Sequence, residues 1–478
     1  MKRIVAVTAG ISWFLAGFTS YAQQTTAAAF NLKHCIETGI SNSLDVNQSG
    51  LDMQRSRINW NQAKLNMLPD LNGTASTGVN QGRSIDPFTN GYINQQVNYS
   101  SYGISSGVVL FNGLSMQHTV KQNALAYEAS KMDWQQAKDD LTINIILAYL
   151  QVLANEDLLV QARNQADLSK KQVERLEIMN KEGAILPSQL YDLKGQYAGD
   201  QVAIINAQNA LALSKNSLCR LMNIPYDKNM KLERIDAESY AVKYEDSPDK
   251  IYQESLQKFS LIKAADLRRQ SAAIGVKAVK GLLYPVLVLG GNANTNYSSA
   301  ARNDIFLGTS DVTTNDYVMV NGTPSPVIRK QSNFQSEKIG YNQQLNNNLF
   351  TSVNLSLRIP LFNSWQVRNR IKLAQLTLKN NDMAAATAKT QLQQAVEQAY
   401  ITMTSASERF KVLMEQAHAY SESFRTVDIR FNAGLGNSID YLTAKNNLDR
   451  SNINLINAKY EYVLRTRVLD YYQGKQLW

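Results

Sequence analysis

Proline is scarce in this chain, with 9 in 478 residues, and cysteine is scarcer, with only Cys35 and Cys219. Residues 114–181 contain neither proline nor glycine, and the same is true of residues 364–432. Both stretches are filled with Ala, Gln, Leu, Lys and Asp, good to middling helix formers, and nothing in them forces a break. Two cysteines on separate predicted helices read as two free thiols, not as a disulfide framework. The three histidines, His34, His118 and His418, lie far apart on predicted helices. No His-Glu-x-x-His or Gly-Lys-Ser/Thr phosphate loop is present, and the one Gly-x-Ser-x-Gly match, Gly103-Ile104-Ser105-Ser106-Gly107, lies inside a predicted strand instead of at the strand-to-helix turn that such a nucleophile needs. The chain is therefore not expected to be an enzyme, and no cofactor or metal is expected. Lys and Arg outnumber Asp and Glu, 49 to 40. They are scattered instead of gathered into a basic run, so nucleic acid is not an expected partner.

Long apolar runs are missing too, except at the start. Lys2 and Arg3 are followed by a mostly apolar stretch, Ile4 to Phe18, and by Ser20-Tyr21-Ala22, a small-x-small cleavage site. This reads as a secretory signal peptide at 1–22, since the apolar run falls short of the ~20 residues that span a bilayer. No other stretch approaches that length, so the remainder is expected either to be soluble or to cross a membrane as strands.

What is present is a sequence that says one thing twice. Val109-Leu110-Phe111-Asn112-Gly113 is matched 251 residues later by Pro360-Leu361-Phe362-Asn363-Ser364. At the same offset Ala148-Tyr149 matches Ala399-Tyr400, and Gly183 matches Gly434. Leu68-Pro69-Asp70-Leu71 resembles Tyr284-Pro285-Val286-Leu287. Such a spacing is too long for a solenoid unit of roughly 20 to 50 residues and implies a duplicated half-protein.

The predicted order is a signal peptide at 1–22; a first repeat at 23–223, with a helix at 31–67, strands at 71–80 and 102–111, a long helix at 113–181 and a return helix at 188–223; a polar linker at 224–247; a second repeat at 248–473, with a helix at 248–283, strands at 286–297 and 349–359, a long helix at 364–432 and a return helix at 439–473; and a tail at 474–478. Each long helix would measure about 100 Å. Leu141, Ile145, Ala148, Val152 and Leu159 keep helical spacing, as do Leu392, Val396, Ala399 and Met403. Neighbouring apolar residues broaden the stripe, which suits helices touching neighbours on two sides, as in a closed ring. A short helix and a return helix together hold about as many residues as one long helix, so the two can stack end to end along it. The turns between long and return helices are Gly183-Ala184-Ile185-Leu186-Pro187-Ser188 and Gly434-Leu435-Gly436-Asn437-Ser438, with glycine ending one helix and serine able to cap the next.

In the four predicted strands the period changes to two. Leu349, Thr351, Val353, Leu355, Leu357 and Ile359 alternate with Phe350, Ser352, Asn354, Ser356 and Arg358, and 287–297 alternates in the same way between apolar residues and Gly or Asn. One apolar face and one Asn/Ser/Gly face is the signature of transmembrane barrel strands around water. The segments at 81–101 and 298–348 read as long outer loops. Four strands cannot close a barrel, for which about eight is the practical minimum, so copies must combine; a ring of helices favours three copies and twelve strands over two and eight.

Taken together, the order of elements, Leu68-Pro69, Pro360-Leu361-Phe362-Asn363, and the run Arg430-Phe431-Asn432-Ala433-Gly434 followed by Ser438-Ile439-Asp440-Tyr441-Leu442-x-Ala444 resemble the TolC-like outer-membrane efflux proteins over about residues 31–473. The fold class implied is an α+β membrane protein: a long α-helical coiled-coil barrel joined to a transmembrane β-barrel, four strands per protomer and twelve per trimer, with two internal structural repeats. The resemblance further implies a homotrimer embedded in outer-membrane lipid and extending into the periplasm. Gly183, Ala184, Ile185, Leu186, Pro187 and Ser188, with Gly434, Leu435, Gly436, Asn437 and Ser438, are the candidate tips that meet a periplasmic adaptor (membrane-fusion) protein, itself joined to an inner-membrane exporter. Asp440 falls on the first aspartate of the family's gate ring, Thr443 occupies the second position, and Asp192 lies two residues off another gate aspartate. A linking arginine falls at Gly436, and its aromatic partner, Phe431, lacks a hydroxyl. The function expected is the passive exit duct of a tripartite efflux system for small molecules or drugs. Type I protein secretion and a non-channel periplasmic coiled-coil scaffold are the alternatives.

Overall fold

The computed structural model describes residues 30–85, 90–234 and 246–475; the expected signal segment lies outside them, as do residues 235–245 of the expected linker. In chain order the elements are α1 (Leu32–Asn42), α2 (Leu44–Leu65), β1 (Asn72–Asn80), β2 (Arg83–Ile85), β3 (Tyr92–Asn94), β4 (Val97–Phe111), α3 (Ser115–Lys181), α4 (Pro187–Leu221), α5 (Pro248–Lys258), α6 (Ser260–Gly281), β5 (Val286–Ser298), β6 (Arg302–Val320), β7 (Thr323–Lys338), α7 (Tyr341–Asn347), β8 (Phe350–Arg358), α8 (Gln366–Asn432) and α9 (Ser438–Tyr472). Helices α3 and α8 each have 67 residues, and α4 and α9 each have 35. The chain forms two compact units that cut across the predicted repeats, because each long helix runs from one unit into the other.

The first unit comprises residues 45–137 and 252–395. Its main sheet is antiparallel, in the order β1-β4-β5-β8. Leu289 pairs with Val108 and Leu355, Leu287 with Leu357, and Ala293 with Ile104 and Thr351. Cross-strand partners share a face, so these apolar residues form one side. Asn292, paired with Ser105 and Ser352, and Asn294, paired with Gly103 and Phe350, lie on the other. Near one end of the apolar face Tyr341 of α7 packs on Tyr297 and hydrogen-bonds Tyr102 at 2.8 Å. Helices α2 and α6 both lie along the first half of α3: Ser56 bonds Ser130 at 2.8 Å, Trp60 stacks on Tyr127, Arg268 pairs with Asp133, and Ser271 Oγ donates to the Gln122 carbonyl at 2.9 Å.

The second unit holds the described residues up to Leu44 with 138–251 and those from Val396 on. Its core gathers Cys35 and Ile36 from α1, Ile145, Tyr149, Val152 and Leu153 from α3, Leu218, Cys219 and Met222 around the end of α4, and Val463 from α9. The two thiols are free, and burial followed by the neighbouring Cys219 pushes Cys35 up to about 12. Tyr149 Oη donates to the carbonyls of Phe30 at 3.0 Å and Glu233 at 2.6 Å.

Several expected boundaries change. The helix expected at 31–67 is broken at Ser43 and the one at 248–283 at Phe259, each residue being extended with ψ near 125° (125° and 124°). In both, the N–H of the break residue still caps the preceding turn, on Gly39 and Ser255. The strand expected at 102–111 begins at Val97, and the 81–101 segment carries the short pair β2–β3. The expected loop at 298–348 is a two-stranded ribbon, β6–β7, followed by α7. Its turn is Asn321-Gly322, both at positive φ (52° and 85°), the backbone that a two-residue hairpin needs. The expected polar linker is partly core: Met230 and Leu232 are buried, and Leu232 bridges Phe30 in parallel. Finally, α3 is by length and composition apolar enough to cross a membrane, with an 18-residue stretch of mean hydropathy 1.4. No such stretch is expected beyond residues 4–18, because polar residues interrupt the apolar ones throughout this helix. Half of the stretch is buried within the protein, which accounts for its composition without a bilayer.

Candidate functional site

Both predicted turns close the same way. Gly183 has φ +72° and Gly434 has φ +74°, and Ala184 N–H donates to Met179 O at 2.9 Å as Leu435 N–H donates to Arg430 O at 2.9 Å. These five-residue-back bonds complete a glycine C-cap in which only a residue without Cβ sits at ease. The following helices start differently from the expectation. Pro187 opens α4 after Leu186, with no side-chain cap, and Asn437, not Ser438, caps α9 by accepting from Asp440 N–H at 2.7 Å.

Beneath the turns Val173, Leu176, Leu190, Leu193, Phe431 and Tyr441 form a small core, with Phe431 and Tyr441 stacked at 4.6 Å. Phe431 thus packs as a plain aromatic ring. A groove of about 430 Å³ opens between the turns, lined by Arg175, Met179, Ala184, Leu186, Phe431 and Gly436 among others. Arg175 of α3 donates to the side chain and carbonyl of Asn432 at the end of α8. That contact ties the two long helices where Gly436 offers no side chain.

The candidate gate residues lie on two helices, Asp192 on α4 and Asp440 with Thr443 on α9, all exposed. The structure adds a group that the sequence did not reveal. Lys445 on α9, with its side chain 1% exposed, reaches Asp200 of α4 at 3.1 Å and Asp449 at 2.6 Å. Asp200 also accepts from Ser169 Oγ of α3 at 2.5 Å and Gln196 Nε2 at 2.9 Å. Burial raises the Asp449 pKa; the Lys445 ammonium opposes that shift and the charge on Asp200 adds to it. Tyr441 is pushed up by burial and then by the surrounding Asp428, Asp449 and Asp200 carboxylates. Lys445 and Asp449 are spaced like an ordinary exposed i,i+4 pair, so no sequence signal marked them.

Apolar stripes also remain uncovered. On α2 Leu44, Leu51, Ile58 and Leu65 repeat every seventh residue and all are more than half exposed. Leu373, Leu376 and Met383 on α8 are exposed in the same way. A heptad seam left in solvent is a coiled-coil surface without its partner helix.

The family model described as outer membrane efflux protein matches residues 36–223 and 251–474. The outer membrane protein TolC of Escherichia coli strain K12 is 19% identical over 473 residues, covering 97% of this chain and 85% of that protein. Among solved structures, the outer membrane protein VceC from Vibrio cholerae has a TM-score of 0.72 at 14% identity, over 94% of this chain and 97% of that one. The Campylobacter jejuni CmeC outer membrane channel has a TM-score of 0.72 at 13% identity, over 99% of this chain and 94% of that one. At such identities the structural likeness speaks for the fold alone.

Proposed function

Because the chain belongs to the outer membrane efflux protein family, we propose that three copies form a channel-tunnel, the passive exit duct through which a tripartite system expels small molecules. The observation that carries this reading is the four-stranded sheet with one apolar and one polar face, whose outer strands β1 and β8 have no further partner among the described residues. Open edges are not tolerated in hydrocarbon, and closing them edge to edge between three copies gives twelve strands with the Asn/Ser/Gly face toward water. The bare heptad on α2 and the apolar stripe on α8 supply helical surface for the same association. Crosslinking of protein extracted from outer membranes should stop at three, and the trimer should conduct ions across a planar bilayer. A stable monomer or dimer would sink the architecture.

The tips lie at the far end of helices about 100 Å long, and they are the surfaces offered to a periplasmic adaptor, itself linked to an inner-membrane exporter. Proline cannot adopt the positive φ of Gly183 or Gly434. Gly183→Pro and Gly434→Pro are therefore expected to abolish dye efflux from cells while leaving the membrane-embedded trimer intact. Normal efflux by both variants would place adaptor docking elsewhere.

Asp440, with Thr443 one turn on and Asp192 on the neighbouring hairpin, forms the gate in this reading. Three-fold symmetry would bring three Asp440 carboxylates around the axis, and an anionic ring attracts cations. Asp440→Asn is expected to lower cation selectivity and weaken block by multivalent cations in bilayer recordings. If selectivity and block are unchanged, the constriction lies elsewhere, and Asp440 is a first-turn acid that favours the helix dipole.

A further inference from the structure

Among the described residues the β6–β7 ribbon pairs with no other strand. It is rooted firmly: buried Gln344 accepts from Ser298 N–H at 2.9 Å and donates to Ser298 O at 3.0 Å, and Ile339 N–H donates to Ala301 O at 3.3 Å. Its far end has a different chemistry. From Tyr317 to Ile328 there is no charged residue, whereas Asp311, Asp316, Arg329 and Lys330 lie immediately below. Within that uncharged end Tyr317, Val318, Met319, Val320 and Ile328 are all more than half exposed. The register puts Tyr317, Met319 and Ile328 on one face and Val318 and Val320 on the other, so neither side of the ribbon end is polar.

We propose that this end, Tyr317–Ile328, inserts its side chains into the outer leaflet of the membrane that holds the sheet, with the charged belt below it at headgroup level. The inference rests on the outer-membrane reading above. Four features favour lipid over a second copy of the ribbon. From Tyr317 to the turn the strand rises about 13–16 Å, which matches one leaflet of a hydrocarbon core about 30 Å thick. The charges stop where hydrocarbon would begin, as the cost of burying them there requires. The ladder shifts register between Phe306 and Gly308 and again between Thr313 and Tyr317, and such bulges bend strands, which lets a ribbon rising from the sheet turn back toward the bilayer. Finally, Val320 and Thr323 flank the two-residue turn as the hydrogen-bonded pair, so the next positions alternate outward. The outward positions on β7 are Pro324 and Pro326, which have no N–H. That edge cannot accept another strand through those donors, and it has fewer backbone groups to leave unsatisfied in an apolar medium.

The test uses the full-length trimer in vesicles of phosphatidylethanolamine and phosphatidylglycerol, some with brominated acyl chains. A single environment-sensitive dye is placed at Val318→Cys, at Ser310→Cys below the charged belt, or at Leu355→Cys on the apolar face of the sheet. Cys35 and Cys219 are 0% and 1% exposed and stay unlabelled. The expected result is severalfold stronger quenching by brominated lipid for the Val318 label than for the Ser310 label, approaching that at Leu355, with the opposite order for iodide supplied on both sides. A Val318 label quenched by iodide like Ser310, while Leu355 responds to bromine, would overturn the ribbon proposal alone. So would a Val318 label shielded from both quenchers that crosslinks to its copy in another protomer. If the Leu355 label also ignores brominated lipid, the lipid-facing sheet fails along with the ribbon.

Discussion

Lys445→Met is expected to destabilise the helical unit by about 3–5 kcal/mol, the usual cost of removing one partner from a buried ion pair. The substitution would leave Asp200 and Asp449 facing one another with no cation between them, in a space where the side chains of Lys445 and Asp200 are 1% and 8% exposed. Ser169 and Gln196 still donate to Asp200, but neutral donors do not offset a buried negative charge. The measurement is loss of helical circular dichroism on heating the detergent-solubilised protein at pH 7.5. Neutralising the whole group with Asp200→Asn, Lys445→Met and Asp449→Asn together should recover most of the loss, because a buried pair contributes little beyond an apolar replacement of equal volume. An unchanged unfolding temperature for Lys445→Met alone would mean that this ion pair contributes nothing to the stability of the unit.

The second large effect concerns the sheet. Leu289 and Leu355 face each other across β5 and β8 on the apolar side, where both are exposed. In the proposed barrel that side meets lipid, and an arginine at the bilayer midplane costs roughly 2–4 kcal/mol. Leu289→Arg and Leu355→Arg are each expected to deplete trimer from the outer membrane. Asn294→Ala, on the polar face beside Gly103, should leave trimer levels unchanged. Membrane fractionation followed by unheated gel electrophoresis separates the outcomes. Equal tolerance of all three would mean that the two faces are assigned to the wrong media.

Local pattern was enough to read the main elements. The absence of proline and glycine over 114–181 and 364–432 left helix as the consistent conformation, and α3 and α8 occupy those spans to within two residues at each end. Period-two alternation in 287–297 and 349–359 separated an apolar from a polar side before any partner was known, because successive strand residues point to opposite faces. Glycine at 183 and 434 marked the turns because the left-handed conformation there excludes most other residues. The many Ser, Thr and Asn residues of 298–348 read as loop; pairing along β6–β7 outweighs that composition, and Asn321-Gly322 is the turn signal that could have pointed to the ribbon.

Other features depend on residues far apart in the chain, and the sequence by itself did not determine them. That Leu289 stands beside both Val108 and Leu355 is a matter of register, decided when β5 pairs with strands from both halves of the chain. Arg175 meets Asn432 across 257 residues, a contact that no local spacing in either helix marks. Lys445 shows the reason most directly. Its i,i+4 spacing to Asp449 is the same whether the pair is solvated or buried, and what distinguishes the two is Asp200, 245 residues away, together with Ser169 of α3. Short-range spacing determines which side chains share a helix face; whether that face meets water, another helix or a buried carboxylate is decided only when distant segments pack against it.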